Sequence, residues 1–183
     1  MIMEIKYKIQ FHTDWHCGSG LAAGADVDAL VVKDKDCLPF VPGKTIKGLV
    51  REAMTEMVNA DEALFVKTFG RFDDKDKKDK GEAFFKNAEL PETEKSAIIT
   101  NKVSKFLYRS IASTAIDENG VAKEHSLRKM EVVVPCTLEG EILNLPEEIV
   151  PQIEKALKYI KRLGQNRNRG LGRCTITVEG GAK

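Results

Sequence analysis

A chain of 183 residues, 42% hydrophobic and 31% charged, has the composition of one folded domain with insertions. Its 29 basic residues balance 28 acidic ones, so affinity for a polyanion has to come from a local patch and not from net charge. No apolar run reaches membrane-spanning length, the N-terminus alternates instead of forming a signal peptide's apolar block, and Cys17, Cys37, Cys136 and Cys174 include no C-x-x-C pair. The expectation is a cytoplasmic protein with reduced thiols, no membrane partner, no zinc ribbon and no disulfide framework.

From Met3 to Phe11, apolar Met3, Ile5, Tyr7, Ile9 and Phe11 alternate with polar residues, the period of a half-buried strand. The following TDWHCGSGLAAGADVD is too rich in glycine and small residues for a regular element and reads as a long mobile loop. ALVVKD and LPFVPG predict two short strands of a hairpin turning at KDKD. KTIKGLVREAMTEM then predicts a helix capped by Thr45, with Ile46, Leu49, Val50, Ala53, Met54 and Met57 facing the core and Lys44, Lys47 and Arg51 displayed near its start. A short helix around Glu62 to Phe69 follows. The excursion at about 71–81, where Asp and Lys alternate in equal number, reads as a solvated segment.

EAFFKNAEL predicts a second core strand anchored by Phe84 and Phe85, and MEVVVPCTLEGEIL a third. Between them, at about 95–129, a polar stretch with a DENG turn predicts an extended hairpin. Ile149, Val150, Ile153, Ala156, Leu157, Ile160 and Leu163 mark one face of a second main helix, and RCTITVE is the last strand. Without the insertions the order is strand, helix, strand, strand, helix, strand. That is the α+β, ferredoxin-like βαββαβ pattern shared with RNA-recognition folds. The aromatic run by which an RNA-recognition sheet stacks bases is missing, so the sheet face is expected to be covered and RNA left to the loops.

The candidate site is GQNRNRGLGR. Gly164, Gly170 and Gly172 would let peptide N–H groups approach phosphates, Arg167, Arg169 and Arg173 supply charge, and Asn166 and Asn168 lie between them. The loop follows a helix and precedes a strand, the reverse of a Walker loop or a dinucleotide fingerprint, which excludes both. His12 and His16 have H-x-x-x-H spacing, but on a strand this sets them too far apart for zinc. The alternative for the loop is a turn whose glycine only caps a helix.

Three stretches in this order, VDALVVKDKDCLPFVPGKTIKGLVREA, STAIDENGVAKEHSLRKMEVVVPCTLEGEI and GQNRNRGLGR, resemble the repeat-associated mysterious proteins (RAMPs) of type III CRISPR effector complexes. The resemblance implies a single domain over residues 1–183, with an inserted loop and hairpin at about 14–42 and a thumb-like insertion at about 95–129. It is greatest to the backbone subunits, which bind guide RNA through its sugar-phosphate chain, assemble with copies of themselves and other effector subunits, and meet complementary target RNA. In those subunits an Asp after the first strand cuts the target with a divalent metal. By order along the hairpin this is Asp28, with Asp26 as the alternative, and Mg²⁺ is the implied ion. The resemblance also implies that Lys44, Lys47 and Arg51 contact the RNA backbone and that Tyr108, Arg109, Arg128 and Lys129 belong to the thumb. Two other readings stay open: a guide-processing endoribonuclease using His16, and a non-catalytic RNA-binding scaffold in which Asp28 is structural.

Overall fold

The computed structural model describes residues 1–22, 27–57, 61–71 and 80–179. Strand β1 (Ile2–Phe11) lies inside a four-stranded antiparallel sheet. Its neighbours are β5 (Thr137–Pro146) and β6 (Cys174–Glu179), and β2 (Phe84–Phe85) lies outside β5. The alternation of β1 does what its period requires. Ile5, Tyr7, Ile9 and Phe11 are buried, while Lys6 and Lys8 stand on the opposite face. Tyr7 sits opposite Gly140, where a Cβ would lie 2.5 Å from the tyrosine hydroxyl, so only glycine leaves room for the ring.

Helices α1 (Gly43–Met57) and α4 (Val150–Tyr159) cover the inner face. On α1, Ile46, Val50, Ala53 and Met54 are buried and Leu49 packs at the edge of the core, whereas Met57 is exposed at the helix end. The helix begins at Gly43, so Thr45 lies within its first turn and is not the cap. Gly43 is required there, because a Cβ would meet the Phe85 carbonyl at 2.0 Å. Helix α2 (Glu62–Phe69) is capped by Asp61, whose carboxylate accepts from the amides of Ala63 and Leu64. Around α4, Ile149, Ile153, Ala156, Leu157, Ile160 and Leu163 are buried, as the apolar spacing requires.

Several expectations are corrected. The predicted third strand is two strands: it breaks at Pro135, which has no N–H to donate to a ladder. Its first half, β4 (Arg128–Val133), pairs with β3 (Tyr108–Ser113) in a separate two-stranded sheet, and only the second half, β5, joins β1. The predicted second strand is reduced to the two residues of β2, and since consecutive strand residues face opposite ways, Phe85 is buried while Phe84 is exposed. Helix α3 (Glu92–Thr100) precedes the β3–β4 hairpin unannounced, because it buries no residue and so carries no apolar stripe. The two strands expected around KDKD are isolated bridges. Asp34 closes the turn by accepting from the amides of Asp36 and Leu38, but beyond Lys33 and Pro39 the flanks pair elsewhere, Val31 with Gly18 and Val41 with Ala88.

Among the described residues nothing covers the outer face of the sheet, contrary to expectation. It carries an exposed lattice of ion pairs, Lys8 with Glu139 and Glu179 at 3.2 and 2.7 Å, and Glu141 with Lys6 and Lys86 at 3.6 and 2.7 Å. Each of these lysines is paired with a carboxylate, so the lattice offers a polyanion no net positive charge. The segment after β1 is no floating loop over its described part: Asp14, Trp15, His16 and Cys17 are buried, and Trp15 stacks on Phe11 with ring centroids 4.5 Å apart. Most of the charged excursion lies outside the described residues, and its ends are bridged through Gly70 and Lys80. No helix among the described residues is long and apolar enough to cross a membrane.

Candidate nucleic-acid interface

The glycine loop is built by closing its own ends. Leu163 donates to the Gly172 carbonyl at 2.9 Å and Cys174 to the Lys161 carbonyl at 2.9 Å, which places Arg162 opposite Arg173. Between them Asn166 adopts the left-handed conformation (φ 54°), Arg167–Arg169 form one 3-10 turn, and Gly170 (φ 94°) ends it. Gly164 and Gly172 have positive φ and no space for a side chain, since a Cβ would meet the carbonyls of His16 and Leu163 at 2.4 and 1.9 Å. The loop is pinned to the segment after β1. Gln165 donates to the His16 carbonyl at 2.8 Å, Gly172 to the Asp14 carbonyl at 2.7 Å, and Arg173 to the Thr13 hydroxyl at 3.0 Å. The Gly172 N–H is thus committed within the chain. Arg167, Asn168, Arg169 and Arg173 are exposed.

His16 is fully buried beneath this interlock. Its Nδ1–H donates to the Glu131 carbonyl at 2.6 Å, which leaves Nε2 as an acceptor with no partner among the described residues. The histidine therefore ties β4 to the loop through its ring on one side and its carbonyl on the other. His12 bonds Thr175 at 2.8 Å instead, and no group of three or more metal-ligating side chains occurs among the described residues.

Asp28 faces the loop from the hairpin side. It is exposed, and it is held by a reciprocal pair of bonds: its N–H donates to the Lys129 carbonyl at 2.9 Å, and its carboxylate accepts from the Lys129 N–H at 2.7 Å. Met130, the next residue, receives the Asn166 amide at 3.7 Å on its sulfur. One edge of the molecule thus brings together Asp28, the exposed Arg128 and Lys129, and the tip of the glycine loop. Asp26 lies outside the described residues.

Tyr108 and Arg109, placed in the thumb by resemblance, lie at the core end of the β3–β4 hairpin. Tyr108 donates to the Cys37 carbonyl at 2.7 Å, lies under the Lys33 ammonium at 4.0 Å, and has its hydroxyl pushed far above the ordinary value by burial and then by Glu131 and Asp34. Arg109 grips the Asp14 carboxylate through Nε at 2.6 Å and through Nη2. The two partners differ: the Asp14 side chain is 5% exposed and the Arg109 side chain 62%. Arg109→Ala should cost about 3 kcal/mol by stranding a buried carboxylate, whereas Asp14→Asn should cost about 1 kcal/mol, because Arg109 stays hydrated. Urea midpoints compare the two, and equal losses would refute the asymmetry.

On α1, Lys44 is exposed and Lys47 half-buried, and burial together with Arg51 one turn on lowers the Lys47 pKa. Arg51 lies 5.7 Å from the Phe65 ring. The residue joining α1 to the loop is one the sequence reading missed, Glu52, whose carboxylate is 3.7 Å from Arg167. Its neighbour Arg51 was visible as a cation. Nothing in the sequence distinguishes Glu52 from any exposed helix acid.

Solved structures that share this architecture include two of one complex. One is the type III-B Cmr-beta complex bound to cognate target RNA, with a chain that aligns at a TM-score of 0.77 and 12% identity over 96% of this chain and 97% of that one. The other is the same complex in its apo state, at 0.74, 12%, 96% and 97%. No curated protein matches the chain. The RAMP superfamily model matches residues 8–175, from inside β1 through the glycine loop to the start of β6, and the chain belongs to the RAMP superfamily.

Proposed function

We propose that this RAMP protein is an RNA-binding subunit of a type III CRISPR effector complex, gripping the sugar-phosphate backbone of guide RNA and assembling on it with copies of itself and other subunits. The strand order β2-β5-β1-β6 fits a ferredoxin-like βαββαβ core, with β3 and β4 as the thumb. The observation that carries the function is the exposed loop bearing Arg167, Arg169 and Arg173, whose tip at Asn166 reaches Met130 on β4 next to the exposed Arg128 and Lys129, in a chain whose net charge is only +1. Membership of the RAMP superfamily and the likeness to a chain of a Cmr-beta complex bound to target RNA support the reading of RNA as the ligand. Mixed-sequence single-stranded RNAs should bind the full chain alike, with log affinity falling linearly in log salt. Failure to bind RNA at low salt, or binding insensitive to salt, would overturn the reading.

Target RNA lying along this edge would pass Asp28, and cleavage there is the finer part of the proposal. Scission by the RNA's own 2′-hydroxyl needs an in-line backbone, a proton acceptor and neutralisation of the phosphate. The reciprocal bonds to Lys129 fix the Asp28 carboxylate against β4, part-way along the β3–β4 hairpin, where a kinked backbone would place the 2′-hydroxyl. One carboxylate fits Mg²⁺, which takes few protein ligands and otherwise keeps water and phosphate oxygens, and the ion would neutralise the phosphate. Asp28→Ala should lower cleavage of a complementary RNA at least about 100-fold while guide affinity changes less than about twofold. Cleavage that persists assigns Asp28 to the scaffold, capping the hairpin through Lys129.

A further inference from the structure

A cavity of about 150 Å³ lies in the seam between α1 and α4, and apart from Arg167 none of its lining residues belongs to the edge that holds Asp28. Its walls differ in sign. Lys161, Arg162 and Arg167 come from the loop side, Glu52 and Glu56 from α1, and Tyr159, 51% exposed, from the last turn of α4. Two features of the cationic wall suit an anion. Arg162 is paired directly opposite Arg173, a like-charge arrangement that is repulsive until a negative group shares it. Arg167 has Glu52 as a counter-ion at 3.7 Å, but both side chains are about half exposed, so a phosphate can replace that carboxylate readily.

Once a phosphate takes Arg167, Glu52 and Glu56 remain as acceptors facing a space sized for a single ring, since an engineered cavity of about 150 Å³ holds benzene. That volume suits a pyrimidine better than a purine, and Tyr159 offers a surface on which it can stack. The two pyrimidines differ at position 4 of the ring: cytosine carries an amino group there, which donates to a carboxylate, and uracil a carbonyl oxygen, which a carboxylate repels.

We infer that the seam between α1 and α4 is a subsite for one cytidine nucleotide of bound RNA, with its phosphate on Arg162 and Arg167, its ring on Tyr159 and its amino group on Glu52 and Glu56. The inference rests on the RNA-binding reading above and adds a base preference at one position to a grip that otherwise ignores sequence. Fluorescence anisotropy of the full chain with oligo(C) and oligo(U) of equal length, above neutral pH where cytosine is unprotonated, tests it. Oligo(C) should bind about fivefold tighter. In the double variant Glu52→Gln/Glu56→Gln the ratio should fall to about one, because an amide can donate to the uracil oxygen as well as accept from the cytosine amine. Equal affinities in the unmodified chain, or a preference for oligo(C) that survives in the double variant, would overturn the subsite while leaving RNA binding intact. Binding of neither oligomer would overturn both readings.

Discussion

Gly172→Ala should destabilise the fold by about 3 kcal/mol, measured by urea unfolding, and Gly170→Ala by only about 1 kcal/mol. Both glycines have positive φ, 69° and 94°, so both substitutions carry the penalty of a left-handed side-chain-bearing residue. They differ in what a Cβ would meet. At Gly170 nothing lies within 4 Å, whereas at Gly172 the Leu163 carbonyl oxygen would be at 1.9 Å. That oxygen cannot move alone, because Leu163 is fully buried and its N–H donates to the Gly172 carbonyl. Relieving the clash would open the paired ends of the loop, adding a lost hydrogen bond and disturbed core packing to the conformational penalty. Equal losses at the two positions would show that left-handed strain, and not close approach to Leu163, sets the requirement for glycine.

The same contrast shows what could be read from the sequence. Elements whose partners follow from period alone were legible: β1 by alternation, α1 and α4 by their apolar stripes, and the glycine loop by its density of glycine and arginine. The segment after β1 was misjudged because its partners are remote. His16 is held by a carbonyl 115 residues away and Asp14 by a guanidinium 95 residues away, and no local pattern encodes either contact. Composition suggested a loop, but Trp15 and His16 are buried because β4 and the glycine loop close over them. The break at Pro135 was legible in principle, since proline in a central strand argues against continuity. The strand-like pattern on both sides of it, EVVV before and the alternating TLEGEI after, concealed the change of sheet. Asp28 could be singled out only by its order in the hairpin, and its attachment to Lys129 crosses 101 residues.

Arg167→Ala/Arg169→Ala should weaken binding of every single-stranded RNA about 30-fold at low salt and reduce the slope of log affinity against log salt by about 1.4, the counterion release of two phosphate contacts. Both side chains are exposed, so the variant should unfold within about 0.5 kcal/mol of the unmodified chain, which separates lost contact from lost fold. The two arginines should not contribute equally. Arg169 has no ionic partner among the described residues, whereas Arg167 must release Glu52, a contact worth at most about 1 kcal/mol at this exposure. Arg169→Ala should therefore cost more affinity than Arg167→Ala, and Glu52→Gln should narrow the gap by freeing Arg167. The Arg167 carbonyl also accepts from Arg162 at 3.2 Å, a main-chain contact that truncating the Arg167 side chain leaves in place. An undiminished salt slope in the double variant would mean that the phosphates lie elsewhere, with the exposed Arg173 of the loop and Arg128 and Lys129 of β4 as the remaining cations of the proposed site.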